Sequence, residues 1–402
     1  MMARFPYLFF RMIPVADKLK DIRPFVVMEV LARADALRRA GHPVIGMEVG
    51  EPDFATPQPI LDAAGRALAG GATRYTSATG LPELRRAIAG FYASDYGLSI
   101  SPSRIVVTAG GSGALLLASA LLTNPGDEWL MTDPGYPCNR NFVTAFGGEP
   151  RGLPVDASTH FQLTAERVSS EWRENTRAVL LASPANPTGT EVTKAELAAI
   201  AAEVRARQGV LVVDEIYHGL SYDSDVRESA LAVDDDVIVI NSFSKYFCMT
   251  GWRLGWMVVP ESTVPLVEKL AQNLFICPST VAQHAALACF TAETRAITES
   301  YRESFRERRD FLVPALSQCG FDIPAKPSGA FYVYAGIPEG QGDAPGFCRR
   351  LLEEHHVAVT PGADFGDHLA DRYVRFSYAQ GMPALTEAID RMMVALANGT
   401  GP

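Results

Sequence analysis

Cysteine is scarce and scattered in this chain: six residues in 402, Cys138, Cys248, Cys277, Cys289, Cys319 and Cys348, with no C-x-x-C pair. Nor do the seven histidines cluster at metal-ligand spacing. A structural zinc site and a dithiol redox motif are both excluded as readings, no metal is expected, and the thiols are expected to be reduced core residues. Basic charge is short as well. Lys and Arg number 36 against 46 Asp and Glu, a net charge of −10, and no stretch concentrates the cations. A nucleic-acid surface is therefore not expected, and any anionic ligand needs a local pocket. Long apolar runs are missing too, since nothing approaches the about 18 to 20 consecutive residues that span a bilayer. The apolar stretch from Phe5 to Ile13 is short, carries Arg11 and lacks a small-residue cleavage site, so it makes a poor secretory signal. A cytoplasmic protein without membrane contact is expected. Repeats and low-complexity linkers are also absent.

What is present is ordinary globular composition, 48% apolar and 20% charged, in a chain long enough for a large domain with a satellite. Short β-branched runs, Ile105 to Thr108, Trp129 to Met131, Ala178 to Leu181, Val210 to Val213 and Val237 to Ile240, alternate with helical patterns such as Gly113 to Leu122, Lys194 to Arg207 and Pro265 to Asn273. Such alternation predicts an α/β fold, a mostly parallel sheet covered by helices. Leu254 to Val259 follows the preceding strand by a loop without a helix, so it is expected to run antiparallel. A long charged helix, Glu293 to Ser317, leads to a C-terminal α+β part with strands around Ala330 to Tyr334 and Tyr373 to Ser377 and helices near 346 to 355 and 383 to 397. Its charge reads as a solvated face. The expected division is an N-terminal extension 1–24, a first piece of a small domain 25–50, a large domain 51–292, and a linking helix with the rest of the small domain 293–402. The helix Val26 to Ala40 is expected to pack on that small domain.

Three turns carry chemistry. The strand ending at Thr108 runs into Ala109-Gly110-Gly111-Ser112-Gly113 and a helix, where free N–H groups and the helix dipole suit a phosphate. Ser183-Pro184-Ala185-Asn186-Pro187-Thr188-Gly189 follows a buried strand, and Asp214-Glu215-Ile216-Tyr217 ends the next. Ligands of open α/β sheets sit beyond the carboxyl ends of the strands, so the three turns are expected to face one crevice. Lys245, in Ser242-Phe243-Ser244-Lys245, lies close in sequence to Arg253, in Gly251-Trp252-Arg253-Leu254-Gly255. A lysine amine is a nucleophile only when neutral, and burial beside a guanidinium disfavours its charge. Asp214, a carboxylate ending an apolar run, needs solvent or a cation.

With Val49-Gly50-Glu51-Pro52-Asp53-Phe54, Arg74-Tyr75-Thr76 and Gly80-Leu81-Pro82-Glu83-Leu84-Arg85 added, these motifs cover nearly the whole chain in order and spacing. The chain resembles the class I/II aminotransferases that use pyridoxal 5'-phosphate, the fold type I enzymes of the aspartate aminotransferase superfamily. The resemblance implies that Lys245 is the Schiff-base lysine and proton carrier, and that Asp214 keeps the cofactor's ring nitrogen protonated. It implies Tyr217 and Asn186 at the ring's 3-oxygen and Tyr136 stacked on the ring face. The phosphate would take Gly111, Ser112, Ser242 and Arg253, together with Tyr75 of the partner subunit in a homodimer. Arg375, in Tyr373-Val374-Arg375-Phe376-Ser377, would bind the substrate α-carboxylate bidentately, near Gly50 and Asn186.

The activity implied is transfer of an amino group between an L-amino acid and a 2-oxo acid by a ping-pong cycle. A C–S β-lyase of the same fold is the alternative, because the same chemistry can expel a leaving group from Cβ. A ligand-sensing domain of a transcription factor is disfavoured by the short, non-basic segment before the fold. For the substrate side chain, Phe25, Phe331 and residues 273–279 are the candidates. With Ser112 where a cation could stand and no evident second arginine, neutral side chains are weakly favoured.

Overall fold

Pairing of strands remote in sequence builds three sheets from twelve strands in a computed structural model that describes residues 13–223 and 228–398. All but Ile13 of the apolar start lies outside the described residues. In chain order the strands are β1 (Ile45–Gly46), β2 (Ile105–Thr108), β3 (Glu128–Asp133), β4 (Glu149–Pro154), β5 (Thr176–Ala182), β6 (Val210–Asp214), β7 (Ile238–Ser242), β8 (Gly255–Val258), β9 (Tyr332–Gly336), β10 (Val357–Ala358), β11 (Thr360–Pro361) and β12 (Tyr373–Ser377).

The large sheet has the order β2-β8-β7-β6-β5-β3-β4. Neighbours from β7 to β4 are parallel, and β8 alone runs against its two neighbours, as expected for a strand reached by a loop. Alternate residues of the same apolar runs feed two separate cores. Val107, Val179, Leu181, Leu211, Val213 and Val239 point to one face, Val106, Ala178, Leu180, Val212, Ile238 and Ile240 to the other. The first face is covered by helices Pro82–Tyr96 and Lys194–Ala206, the second by Gly110–Leu122 and Val264–Leu274. Burial on both sides is why these strands read as continuous hydrophobic runs rather than as alternating ones.

Strand β4, Glu-Pro-Arg-Gly-Leu-Pro, was not expected. Its prolines and glycine argue against a central strand, and its place at the sheet edge removes the objection, because no second ladder has to be donated. Helix Pro82–Tyr96 likewise went unread; it opens with proline in its first turn and closes at Gly97, whose φ is +66°.

The smaller sheet is the antiparallel set β11-β12-β9. β9 starts at Tyr332 rather than at Ala330, because Ala330 has φ +57° and cannot continue a strand. Helix Val26–Arg39 packs Ala34 and Leu37 against Leu352 and Ala358, beside the parallel pair of β1 and β10. The long helix spans Ala292–Gln318. Its charge is only partly a solvated face, which corrects the expectation: Arg308 and Arg309 are 6% and 2% exposed. Arg308 bonds both carboxylate oxygens of Asp53 at 2.6 and 3.0 Å and lies over the Phe54 ring, while Arg309 reaches Asp223 at 2.8 Å and the Pro327 carbonyl at 3.1 Å. Pairing with carboxylates, not solvent, accommodates their charge. No described helix is long and apolar enough to cross a membrane.

Candidate active site

The carboxyl ends of the parallel strands converge on one crevice, with two adjoining cavities of about 330 and 370 Å³. Gly50, Tyr136, Asp214, Ile216 and Lys245 line both, so the two form one continuous site with a shared waist.

The wall of the 370 Å³ cavity is polar. Gly111 and Ser112 lie in the first turn of helix Gly110–Leu122, whose leading N–H groups have no acceptor within the helix. Ser242, Ser244, Thr250 and Arg253 face the same space. The Ser242 hydroxyl bonds the Ser244 hydroxyl at 2.9 Å and accepts the Ser244 N–H at 3.1 Å, which sets the tight turn that presents Lys245. Arg253 has φ +53°, a left-handed conformation unusual for a non-glycine residue, and its Nη1 donates to the Thr250 carbonyl at 3.0 Å. Its guanidinium closes over Gly110: a Cβ there would sit 2.8 Å from Arg253 Nη2, and Gly110 itself has φ +75°, so only glycine fits.

At the waist, the half-buried Lys245 donates from Nζ to the Gly50 carbonyl at 2.6 Å. Desolvation pushes the amine down to about 8, Glu51 and Asp214 oppose this, and Arg375 and Arg253 reinforce it. Asp214 is 4% exposed and accepts one hydrogen bond, from the Ile216 N–H at 3.2 Å. Burial raises its carboxyl to about 7 against that bond. It forms no salt bridge among the described residues, and Lys245 across the crevice only partly offsets the effect of its burial. Tyr217 lies 5.7 Å from the Lys245 amine, measured to its ring centroid, and burial pushes its phenol well up.

The other end holds Arg375, 3% exposed and sandwiched over the rings of Tyr332 at 4.5 Å and Phe365 at 4.8 Å. One arm of its fork donates to Asn186 Oδ1 at 2.9 Å; the other bonds the Glu48 carbonyl and, at 3.4 Å, the Thr360 hydroxyl. Its Nε is buried with no hydrogen-bond partner among the described residues.

Of the residues singled out from sequence, Gly50, Gly111, Ser112, Tyr136, Asn186, Asp214, Tyr217, Ser242, Lys245, Arg253 and Arg375 all border this crevice. Tyr75 does not: it is 80% exposed and lines neither cavity of its own chain. Phe331 lies close by, its ring 5.7 Å from the Lys245 amine, and Phe25 lines the 330 Å³ cavity, the inner one at the Arg375 end, whereas residues 273–279 do not. Tyr332, Asp364 and Phe365 are among the wall residues that went unread. Tyr332 bonds Tyr217 hydroxyl to hydroxyl at 2.7 Å, and its oxygen occupies the space a Cβ on Gly50 would need, 2.1 Å away. Asp364 and Phe365 come from the turn after β11. An aromatic in a strand and an Asp in a turn are too common to have announced them.

Comparison with known proteins agrees with this geometry. The family described as aminotransferase class I and II matches residues 42–392. A valine–pyruvate aminotransferase of Mycobacterium tuberculosis is 39% identical over 92% of this chain and 96% of its own. An aspartate aminotransferase of Bacillus subtilis is 34% identical over 94% and 98%. Among solved structures, an aminotransferase from Mycobacterium tuberculosis superposes with TM-score 0.93 at 38% identity, covering 96% of this chain and 100% of that one.

Proposed function

The chain belongs to the class I and II aminotransferases, and from that premise we propose that it binds pyridoxal 5'-phosphate in the crevice and moves an amino group between an L-amino acid and a 2-oxo acid through Lys245. One observation carries the reading: a lysine whose amine burial pushes down to about 8 lines one cavity with a buried carboxyl that has no salt bridge and with a buried arginine.

The residues present fit the cofactor. Gly111 and Ser112 N–H groups, the Ser112 and Ser242 hydroxyls and Arg253 would hold its phosphate, a donor set that lets an acidic protein bind an anion. Asp214 would pair with the protonated ring nitrogen, which supplies the cation its burial calls for. Tyr217 and Asn186 would donate to the ring oxygen, and Tyr136 would cover a ring face. When bound, the group supplies an aldehyde that condenses with amines and a ring that takes up the electron pair of a broken Cα–H bond.

The protein's own part is positioning and proton transfer. Arg375 grips the substrate carboxylate, with Asn186 orienting its fork and Tyr332 and Phe365 holding its plane. Gripping the carboxylate while the amine is engaged stops rotation about N–Cα, and so selects which bond at Cα is broken. Lys245 Nζ then takes the Cα proton and returns it, as a base whose pKa lies close to the working pH. A homodimer, with Tyr75 of the partner subunit completing the phosphate site, accounts for that residue's exposure, and a cytoplasmic enzyme with separate large and small domains remains our reading. The relatives are named aminotransferases, and a C–S lyase is not favoured.

The test is cofactor uptake by the apo-protein followed by borohydride reduction and peptide mapping. One cofactor mass is expected on the peptide bearing Lys245. Only the neutral amine reacts, so the uptake rate should rise with pH through about 8 and level above it. A midpoint near the ordinary lysine value, or label on another lysine, sinks the assignment.

A further inference from the structure

The reacting groups leave one part of the inner cavity unassigned. Once Lys245 serves the amine and Arg375 the α-carboxylate, the remaining wall includes Phe25, Val27, Met28, Cys138, Phe365 and Asp364. Lys245 and Arg375 are the cations lining this cavity among the described residues. Asp364 is 8% exposed, and its role is unusual. Helix Val26–Arg39 has no side-chain cap from Phe25, the residue that precedes it. Instead Asp364, 338 positions away, accepts the Val26 N–H at 2.7 Å and bonds the Val27 N–H as well. That cap comes from the other end of the chain and ties the start of the helix to the turn that also supplies Phe365. It places Val27 and Met28 on the cavity, and Phe25 with its ring 6.2 Å from that of Tyr136.

We propose that this site takes amino donors with neutral, apolar side chains, and that Asp364 is the positioning residue that enforces the choice. It fixes the apolar end of the helix against the cavity and puts a carboxyl group, already bonded to two N–H groups of the helix start, where the second carboxylate of an acidic donor would have to settle. An acidic side chain would there lose water and meet a like group, and among the described residues the cavity offers it no cation beyond Lys245 and Arg375, which the amine and the α-carboxylate already occupy. An apolar side chain meets Phe25 together with Val27 and Met28 of the helix and gains their contact. The inference rests on the aminotransferase reading of the crevice, and it adds the substrate class.

The experiment compares kcat/KM of the holoenzyme for L-valine and L-leucine with that for L-aspartate and L-glutamate, pyruvate being the acceptor. The apolar donors are expected to lead by about 100-fold or more. Equal rates or an acidic preference would overturn the substrate class while leaving amine transfer standing; transfer from no donor at all would take both readings down. In D364N, which keeps an oxygen for the Val26 N–H, the ratio of acidic to apolar kcat/KM should rise about tenfold. A merely structural Asp364 would lower both classes alike and leave that ratio where it was, which refutes its assigned role. Should D364N fail to fold, the native holoenzyme still decides through a binding readout. 3-Methylbutanoate should raise its melting midpoint with an apparent Kd at least about tenfold below that of maleate, and the reverse order would refute the proposal.

Discussion

The two ends of the crevice are made in different ways. At the polar end, most contributing residues sit at or just beyond the carboxyl end of a strand of the large sheet: Gly111 and Ser112 after β2, Asp214 at the end of β6, Ser242 at the end of β7 with Lys245 just beyond. The parallel ladder of β6 and β7, with β8 joining β2 to it through two antiparallel pairings, brings those segments together, so their mutual placement is inherited from one sheet buried on both faces. At the apolar end, helix Val26–Arg39, the turn after β11 and strand β12 meet, and they are joined by contacts such as Val26 to Asp364 and Arg375 to Glu48 across 338 and 327 positions. A site with one end on a rigid sheet and the other on a smaller assembly can keep its chemistry while changing its substrate.

That contrast can be broken in order of severity. Lys245→Ala should be the most damaging change, lowering kcat by about 10⁴-fold or more with little change in melting midpoint, since it removes both attachment point and base. Single-turnover rates with a saturating donor would check it, and near-normal turnover would end the assignment. Arg375→Ala should cost about 10² to 10³-fold in kcat/KM, because a buried, desolvated charge partner is lost, and KM should carry much of the loss. If kcat alone fell, the arginine would belong to the chemistry and the division between the ends would blur. Tyr332→Phe removes the 2.7 Å bond to Tyr217 while keeping the ring under Arg375. Here about 1 kcal/mol, or a several-fold loss of kcat/KM, is expected, smaller than either change above. A loss equal to that of Arg375→Ala would mean the two hydroxyls act as one unit and tie the ends together.

Legibility followed the same division. Gly110 to Ser112, Asp214, Ser242 and Lys245 stand in short segments whose residue types state their use: glycines before a helix, a carboxylate closing an apolar run, a lysine in a serine-bearing turn. Arg375 was legible from a motif in its strand, but its platform of Tyr332 and Phe365 was not, since an aromatic in an apolar run says only that it is buried. The buried pairing of Arg308 with Asp53 escaped for a related reason. A charge run in a helix looks alike whether its partner is water or a carboxylate elsewhere in the chain.

Sequence alone determined the parallel α/β fold, the antiparallel course of β8, and the set of turns that face the crevice, because these depend on periodicity and on chemistry confined to neighbouring residues. Tertiary structure alone decided which hydroxyl fills the space beside Gly50, which carboxylate caps the first helix, and which arginines of the long helix are buried. Each of those is a contact between segments remote in the chain, settled by how the two sheets and their helices pack, and a close-packed interior leaves that arrangement no trace in local pattern.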